Sequence, residues 1–141
     1  MDLLDTINIT ASGLSAQRTR VQTAAANLAN ARTTRTPEGG AYKRRSAVFQ
    51  AAPVDAFGSR LEQELAGVVV TDITADQTPG PQVFDPSHPD ADDQGFVELP
   101  NVDIMSEMVD LMAASRTYEA NANVLDITRD LAARALDIGG R

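Results

Sequence analysis

The chain has 141 residues, a net charge of −8, 43% hydrophobic residues and no cysteine. That is room for one domain, or for one domain with an extension. The acidity argues against general nucleic-acid binding, and the lack of cysteine removes disulfides and cysteine metal sites. Aromatic residues are only 4% of the chain and Trp is absent, so packing falls to Ala, Leu, Ile, Val and Met.

The charge is unevenly placed. Residues 1–45 carry seven basic side chains against three acids, a balance of +4, and residues 46–141 carry five against seventeen, a balance of −12. Oppositely charged parts of one chain can pair within it or between copies. The opening MDLLDTINIT has no basic start and no apolar run of signal-peptide length, so no cleaved signal peptide is expected. No stretch approaches the ~18 apolar residues of a membrane span.

Residues 2–31 read as a first helix. Ile7, Leu14, Val21 and Leu28 recur every seventh residue, and Leu4, Ala11, Arg18 and Ala25 form a second column beside them. Two small-residue patches, Ser12 to Ala16 and Ala24 to Ala29, suit close backbone approach. Helix propensity explains the second patch but not Gly13, which costs about 1 kcal/mol relative to Ala in mid-helix. The helix is expected to end near Asn30, where ARTTRTPEGG (31–40) carries turn signals.

Tyr42, Val48 and Phe49 suggest a strand over 41–50. Between 51 and 99, Pro and Gly break the chain into short pieces. Arg60 to Ala66 has helical character, Val68 to Ile73 is a β-branched strand candidate, and Gln82–Phe84 and Phe96–Leu99 are weaker ones.

After Pro100, Asn101 or Asp103 can cap a second helix, which runs to Ile138 before the Gly139–Gly140 pair. Ile104, Leu111, Tyr118, Leu125 and Ala132 form one heptad column, followed at four residues by Met108, Ser115, Ala122, Arg129 and Leu136. About 36 helical residues reach roughly 54 Å. A helix of that length needs a partner along it, and the N-terminal helix is the one available.

The expected fold is mainly α with a small β region. Residues 1–32 and 101–141 form an antiparallel two-helix coiled-coil hairpin, and 33–100 form a loop and small β-rich insertion. Two helices packed along one seam leave Val124, Ile127, Leu131 and Ile138 uncovered, which implies lateral association. The same pattern also suits a cytoplasmic coiled-coil adaptor with a small β module.

Chemistry-bearing patterns are weak. Asp90, Asp92, Gln94 and Gly95 echo the start of an EF-hand loop, but its twelfth position is Asn101 where a Glu is needed. His88 is the single histidine and has only sequence-local carboxylates around it. No nucleophile–base pattern, phosphate loop or metal-ligand spacing is present. No catalytic, cofactor-binding or metal residue is therefore assigned. Met105, Met108 and Met112 share one side of the second helix and suit packing or an adaptable interface. Lys43, Arg44 and Arg45 on the basic side, and Asp90, Asp92 and Asp93 on the acidic side, are candidates to meet across a subunit boundary.

ASGLSAQRTRVQTAAANLANA (11–31), with Asn27-Leu28-Ala29-Asn30 at its centre, resembles the N-terminal signature of bacterial flagellar rod and hook axial proteins. FDPSHPDADDQGFVELPNVDIMSEMVDLMAASRTYEANANVL (84–125) is similar to the short proximal rod subunits of that family, through DPSHPDAD, Gly95-Phe96-Val97 and Pro100-Asn101-Val102. TPEGGAYKRRSAVF (36–49) fits too, while 51–80 match little. The resemblance implies a structural subunit of the flagellar basal body, exported by the flagellar type III apparatus without a cleaved signal. It implies helical assembly into the periplasmic rod that transmits torque, with the paired terminal helices around the export channel. The implied neighbours are other rod subunits, the membrane ring and the rod–ring adaptor. Ile7, Leu14, Val21, Asn27, Leu28, Asn30, Ile104, Leu111, Tyr118 and Leu125 are then the residues expected to carry packing and assembly.

Overall fold

A computed structural model describes residues 3–53 and 65–139. In chain order it has α1 (Leu3–Ala29), β1 (Arg45–Pro53), β2 (Ala66–Ala75), β3 (Gln82–Phe84), β4 (Phe96–Glu98) and α2 (Ile104–Gly139). The protein is thus mainly α, with two terminal helices and a small β region between them. Most of the helical turn expected at 60–66 lies outside the described residues, and Ala66 itself opens β2.

The helix ends follow from local chemistry. Asp103, not Asn101, caps α2: its carboxylate accepts the Met105 N–H at 3.2 Å and its carbonyl accepts the Glu107 N–H at 3.0 Å. Asn30 closes α1, its side-chain amide donating to the Ala26 carbonyl at 2.9 Å while its own N–H reaches the same oxygen at 3.1 Å.

The strands form two separate two-stranded sheets, β1–β2 and β3–β4. β3 and β4 are antiparallel, with Gln82 opposite Glu98, Val83 opposite Val97 and Phe84 opposite Phe96. Val97 is turned inward and buried. The turn joining these strands needs Gly95, whose φ is +83° and whose missing Cβ would meet Phe84 and Pro86 at 3.0 Å.

The chain divides into two compact units. One comprises residues 1–19, 48–72 and 113–141. There Gly13 faces the Asn121 side chain, which a Cβ at position 13 would approach to 3.1 Å. This close approach is the reason for a mid-helix glycine that propensity alone does not supply. The Val68 N–H donates to the Ser12 hydroxyl at 3.0 Å, and Gly67 is buried against that hydroxyl. The patch at Ser12 and Gly13 thus lets a strand and a second helix both come near α1.

The other unit comprises residues 20–47 and 73–112. In it Asn101, freed from capping, ties three backbone groups together. Its oxygen accepts the Arg44 N–H at 2.7 Å, and its amide donates to the Asp76 and Thr78 carbonyls at 3.0 and 2.9 Å. Arg44 in turn accepts the Asp76 N–H at 2.8 Å.

The interior is built from small and polar side chains. Among the described residues the buried apolar ones are Ala16, Ala24, Ala41, Tyr42, Val97 and Ala114, and the largest fully buried side chains are Asn27 and Glu107. On α1, Ile7, Leu14, Val21 and Leu28 are half-buried, while the neighbouring column of Leu4, Ala11, Arg18 and Ala25 is exposed. On α2, Leu111, Leu125 and Ala132 are half-buried, but Ile104 and Tyr118 are exposed. The deepest α2 column is Glu107, Ala114 and Thr128, with Asn121 half-buried at the same seven-residue spacing. It lies one residue before the column expected from Met108, Ser115, Ala122 and Arg129. Hydrophobic spacing cannot locate this column because three of its four members are polar and the fourth is Ala.

Candidate functional site

The most organised group of side chains surrounds Asn27, which is 1% exposed. Position 27 lies near the C-terminal end of α1, on the same face as buried Ala24 and half-buried Arg20. Its amide nitrogen donates to the Arg45 carbonyl at 2.8 Å and to a Glu107 carboxylate oxygen at 3.0 Å. Its oxygen accepts the Arg45 N–H at 2.9 Å and the Tyr42 hydroxyl at 3.0 Å. Two donated and two accepted bonds are all that a primary amide can make.

Glu107, also 1% exposed, is the buried anion of this junction. The Arg44 Nε donates to its other oxygen at 2.5 Å. The same guanidinium donates to the Ser46 hydroxyl at 2.7 Å and lies 3.7 Å from Asp110, whose other oxygen accepts from Arg20 at 3.0 Å. A buried carboxylate is tolerated only when paired and hydrogen-bonded, and here it is both. Arg20 on α1 and Asp110 on α2 are both partly open to water, so their pairing adds little by itself.

Tyr42 joins the junction from the segment between α1 and β1. Its N–H donates to the Thr33 carbonyl at 3.0 Å, and the Arg45 guanidinium lies 5.8 Å from its ring centre. Burial raises its phenol above the ordinary value of 10.0; Arg45 opposes that rise and Glu107 adds to it. A raised folded value stabilises the fold in full below the unfolded value, and this contribution is lost as pH rises through the folded one. Tyr42 is therefore expected to ionise above the ordinary tyrosine range. In a spectrophotometric alkaline titration with parallel circular dichroism, a Tyr42 ionisation step should coincide with loss of helix above about pH 10. Tyr42→Phe should remove that step. If Tyr42 instead ionises in the ordinary tyrosine range and the helix is unaffected, the phenol is not held by Asn27.

Four of the six residues expected at the subunit boundary, Lys43, Arg44, Asp90 and Asp92, have polar partners within their own chain. Lys43 donates to Glu98 at 2.7 Å and Arg44 is spent on Glu107. The Lys43 bond, and then the Gly80 N–H, hold the Glu98 carboxyl below its usual range. Asp90 accepts from the Thr34 hydroxyl at 2.7 Å and lies 3.6 Å from Arg35. Asp92 caps its own turn, accepting the Gln94 and Phe96 N–H groups at 2.9 and 2.8 Å. Arg45 and Asp93 are exposed and have no ion-pair partner among the described residues. His88 accepts the Asp90 N–H at 3.1 Å, a local turn bond.

The signature motif marks Asn27 for packing or assembly but not for the four hydrogen bonds it makes. No motif in the sequence marks Glu107. The available signal was a Glu three residues after Ile104, at the edge of the heptad stripe of α2, together with the basic run Lys43-Arg44-Arg45.

Residues 7–35 match the family model for flagella basal body rod proteins, and residues 93–138 match that for the C-terminal part of flagellar basal body rod FlgEFG proteins. The chain is 41% identical to the flagellar basal-body rod protein FlgC of Escherichia coli O6:H1, over 99% of both chains. It is 39% identical to FlgC of Borreliella burgdorferi over 98% of both, and 37% identical to FlgC of Bacillus subtilis over 99% of both. The Asn27 junction draws on both matched segments and on the stretch between them. The chain belongs to the FlgC family of flagellar basal-body rod proteins, which are structural proteins and not enzymes.

Proposed function

We propose that the chain is a rod subunit whose two terminal helices pair as an antiparallel hairpin and pack side by side with those of neighbouring subunits. The resulting tube transmits torque and encloses the export channel. One observation carries this reading: the apolar side chains are inverted. Alanines and polar groups, with Tyr42 and Val97, fill the described interior, while Met105, Val109, Met112, Val124, Ile127 and Leu131 lie exposed on α2. These six recur at three- and four-residue intervals, apart from one longer gap; Met105, Val109 and Met112 lie on the side of α2 away from Glu107 and Ala114, and Val124, Ile127 and Leu131 form an exposed apolar strip beside Thr128. A helix with one small, polar stripe and one large, apolar stripe has two faces to cover. A single partner helix covers one.

Two features support the hairpin. In the unit containing residues 20–47 and 73–112, Asn27 meets Glu107 and Arg20 meets Asp110, so α1 and α2 run in opposite directions there. In the other unit Gly13 faces Asn121. Leu14 and Leu125 are half-buried seam residues on this reading. Among the described residues no helix is long and apolar enough to cross a membrane. Membership of the family supports assembly with other rod components, and on this reading the membrane ring and rod–ring adaptor are further neighbours and export runs through the flagellar type III apparatus.

The test separates assembly from folding. Ile127 and Leu131 are 60% and 56% exposed. Ile127→Asp or Leu131→Asp should therefore leave the helix content of the isolated chain unchanged, while export continues and swimming stops. Leu125→Asp at the seam should lower helix content as well. Normal swimming with Leu131→Asp would remove the outer stripe as an assembly surface.

A further inference from the structure

The β3–β4 hairpin carries an exposed aromatic pair. Phe84 and Phe96 stack edge to face with ring centres 5.3 Å apart, and Phe84 is 63% exposed. A large aromatic side chain left in water on a fixed platform is the composition of an interface hot spot. The platform is fixed by several bonds. The Asp85 N–H donates to the Gly95 carbonyl and the Asp92 N–H to the Phe96 carbonyl, both at 2.9 Å, and the Asp92 carboxylate returns to the Phe96 N–H. The Asp85 carboxylate accepts both the N–H and the hydroxyl of Ser87. Little order remains to be imposed when a partner arrives.

Asp85, Asp92 and Asp93 stand in the turns that flank the rings, so the patch is apolar at its centre and anionic at its edge. It calls for a partner face that is small and apolar with a cation beside it. Among residues 3–45, four cations already have carboxylate partners: Arg20, Arg35, Lys43 and Arg44. Arg45 lies over its own Tyr42 ring. Two remain: Arg32 stands in the turn after α1, outside any helix face, and Arg18 is exposed on α1 and begins a face continued by Gln22, Ala25 and Ala29, all exposed. Alanines at 25 and 29 let a ring approach the helix backbone closely. The arginines of α2 stand among Glu119, Asp126 and Asp130 and offer no comparable cationic face.

We infer that the Phe84–Phe96 pair and its flanking carboxylates form a docking surface for the Arg18–Ala29 face of α1 in a second copy of the chain. The two surfaces differ, so the contact is head-to-tail and propagates from copy to copy, as a helical assembly requires. The inference rests on the reading of the chain as an assembling rod subunit and adds which face meets which.

A photocrosslinking residue, p-benzoylphenylalanine, in place of Phe84 tests it in basal bodies isolated from flagellated cells. The expected product is a dimer of this chain, with the crosslink mapped by mass spectrometry to residues 18–29. A crosslink to another protein, to another part of this chain, or to none while the variant is present in basal bodies overturns the inference and leaves the rod assignment standing. Absence of even the unsubstituted chain from basal bodies would instead remove the rod assignment. If the crosslinking variant fails to incorporate, charge exchange decides. Asp93→Arg should reduce the swimming rate at least tenfold, and Arg18→Glu in the same chain should restore most of it. No restoration overturns the docking.

Discussion

Asn27→Ala is expected to destabilise the fold by about 3–5 kcal/mol, measured by urea denaturation followed by circular dichroism. Truncation removes four hydrogen bonds at once and leaves the Arg45 N–H and carbonyl, the Tyr42 hydroxyl and one Glu107 oxygen without their partner. Each unsatisfied buried group costs roughly 1–3 kcal/mol, but water entering the space recovers part of this. Asn27→Asp is the sharper variant. It keeps the shape but places a second carboxylate at the position now 3.0 Å from Glu107 and removes both donors. Two carboxylates that close cannot both ionise cheaply, so this variant should be weaker at neutral pH than near pH 4, relative to the parent at each pH. A loss below about 1 kcal/mol for Asn27→Ala would show that the junction is not what holds this unit together.

Gly80→Ala is expected to cost about 2–4 kcal/mol, because a Cβ there would overlap the Leu99 carbonyl oxygen and crowd the Pro100 backbone. Backbone cannot swing aside as a side chain can. The displacement would also break the Gly80 N–H bond to Glu98, the acceptor that holds Lys43. Gly39→Ala is the contrast. Gly39 has a φ of +93° with open space around it, so alanine there meets only backbone strain of about 1 kcal/mol. If the two variants unfold at the same urea concentration, the close approach at Gly80 carries no weight.

Much of the secondary structure was legible because it rests on local chemistry. The two helices, β3 and β4 fall within a few residues of their expected limits. Of the two possible caps for α2, the sequence could not choose, since Asn101 and Asp103 are equally able acceptors. Asn101 is excluded as the cap because its amide holds Arg44, Asp76 and Thr78 together, which only the folded loops reveal. The basic run and the acidic loop were legible as charges, but their pairing was not. Lys43 reaches Glu98 and Arg44 reaches Glu107, 55 and 63 residues away, through contacts set by the approach of different elements.

By itself the sequence determined the helices, their ends to within a few residues, the β-rich middle and the family, because heptad spacing, turn residues and signature motifs are local properties of the chain. The tertiary structure decided which faces those helices bury. Hydrophobic spacing favours the columns through Ile104, Leu111 and Tyr118. The folded chain instead places Glu107, Ala114 and Thr128 deepest, because close approach selects small side chains and the fully bonded Asn27–Glu107 pair offsets the cost of burying a charge. The large apolar residues are thereby left on the outside.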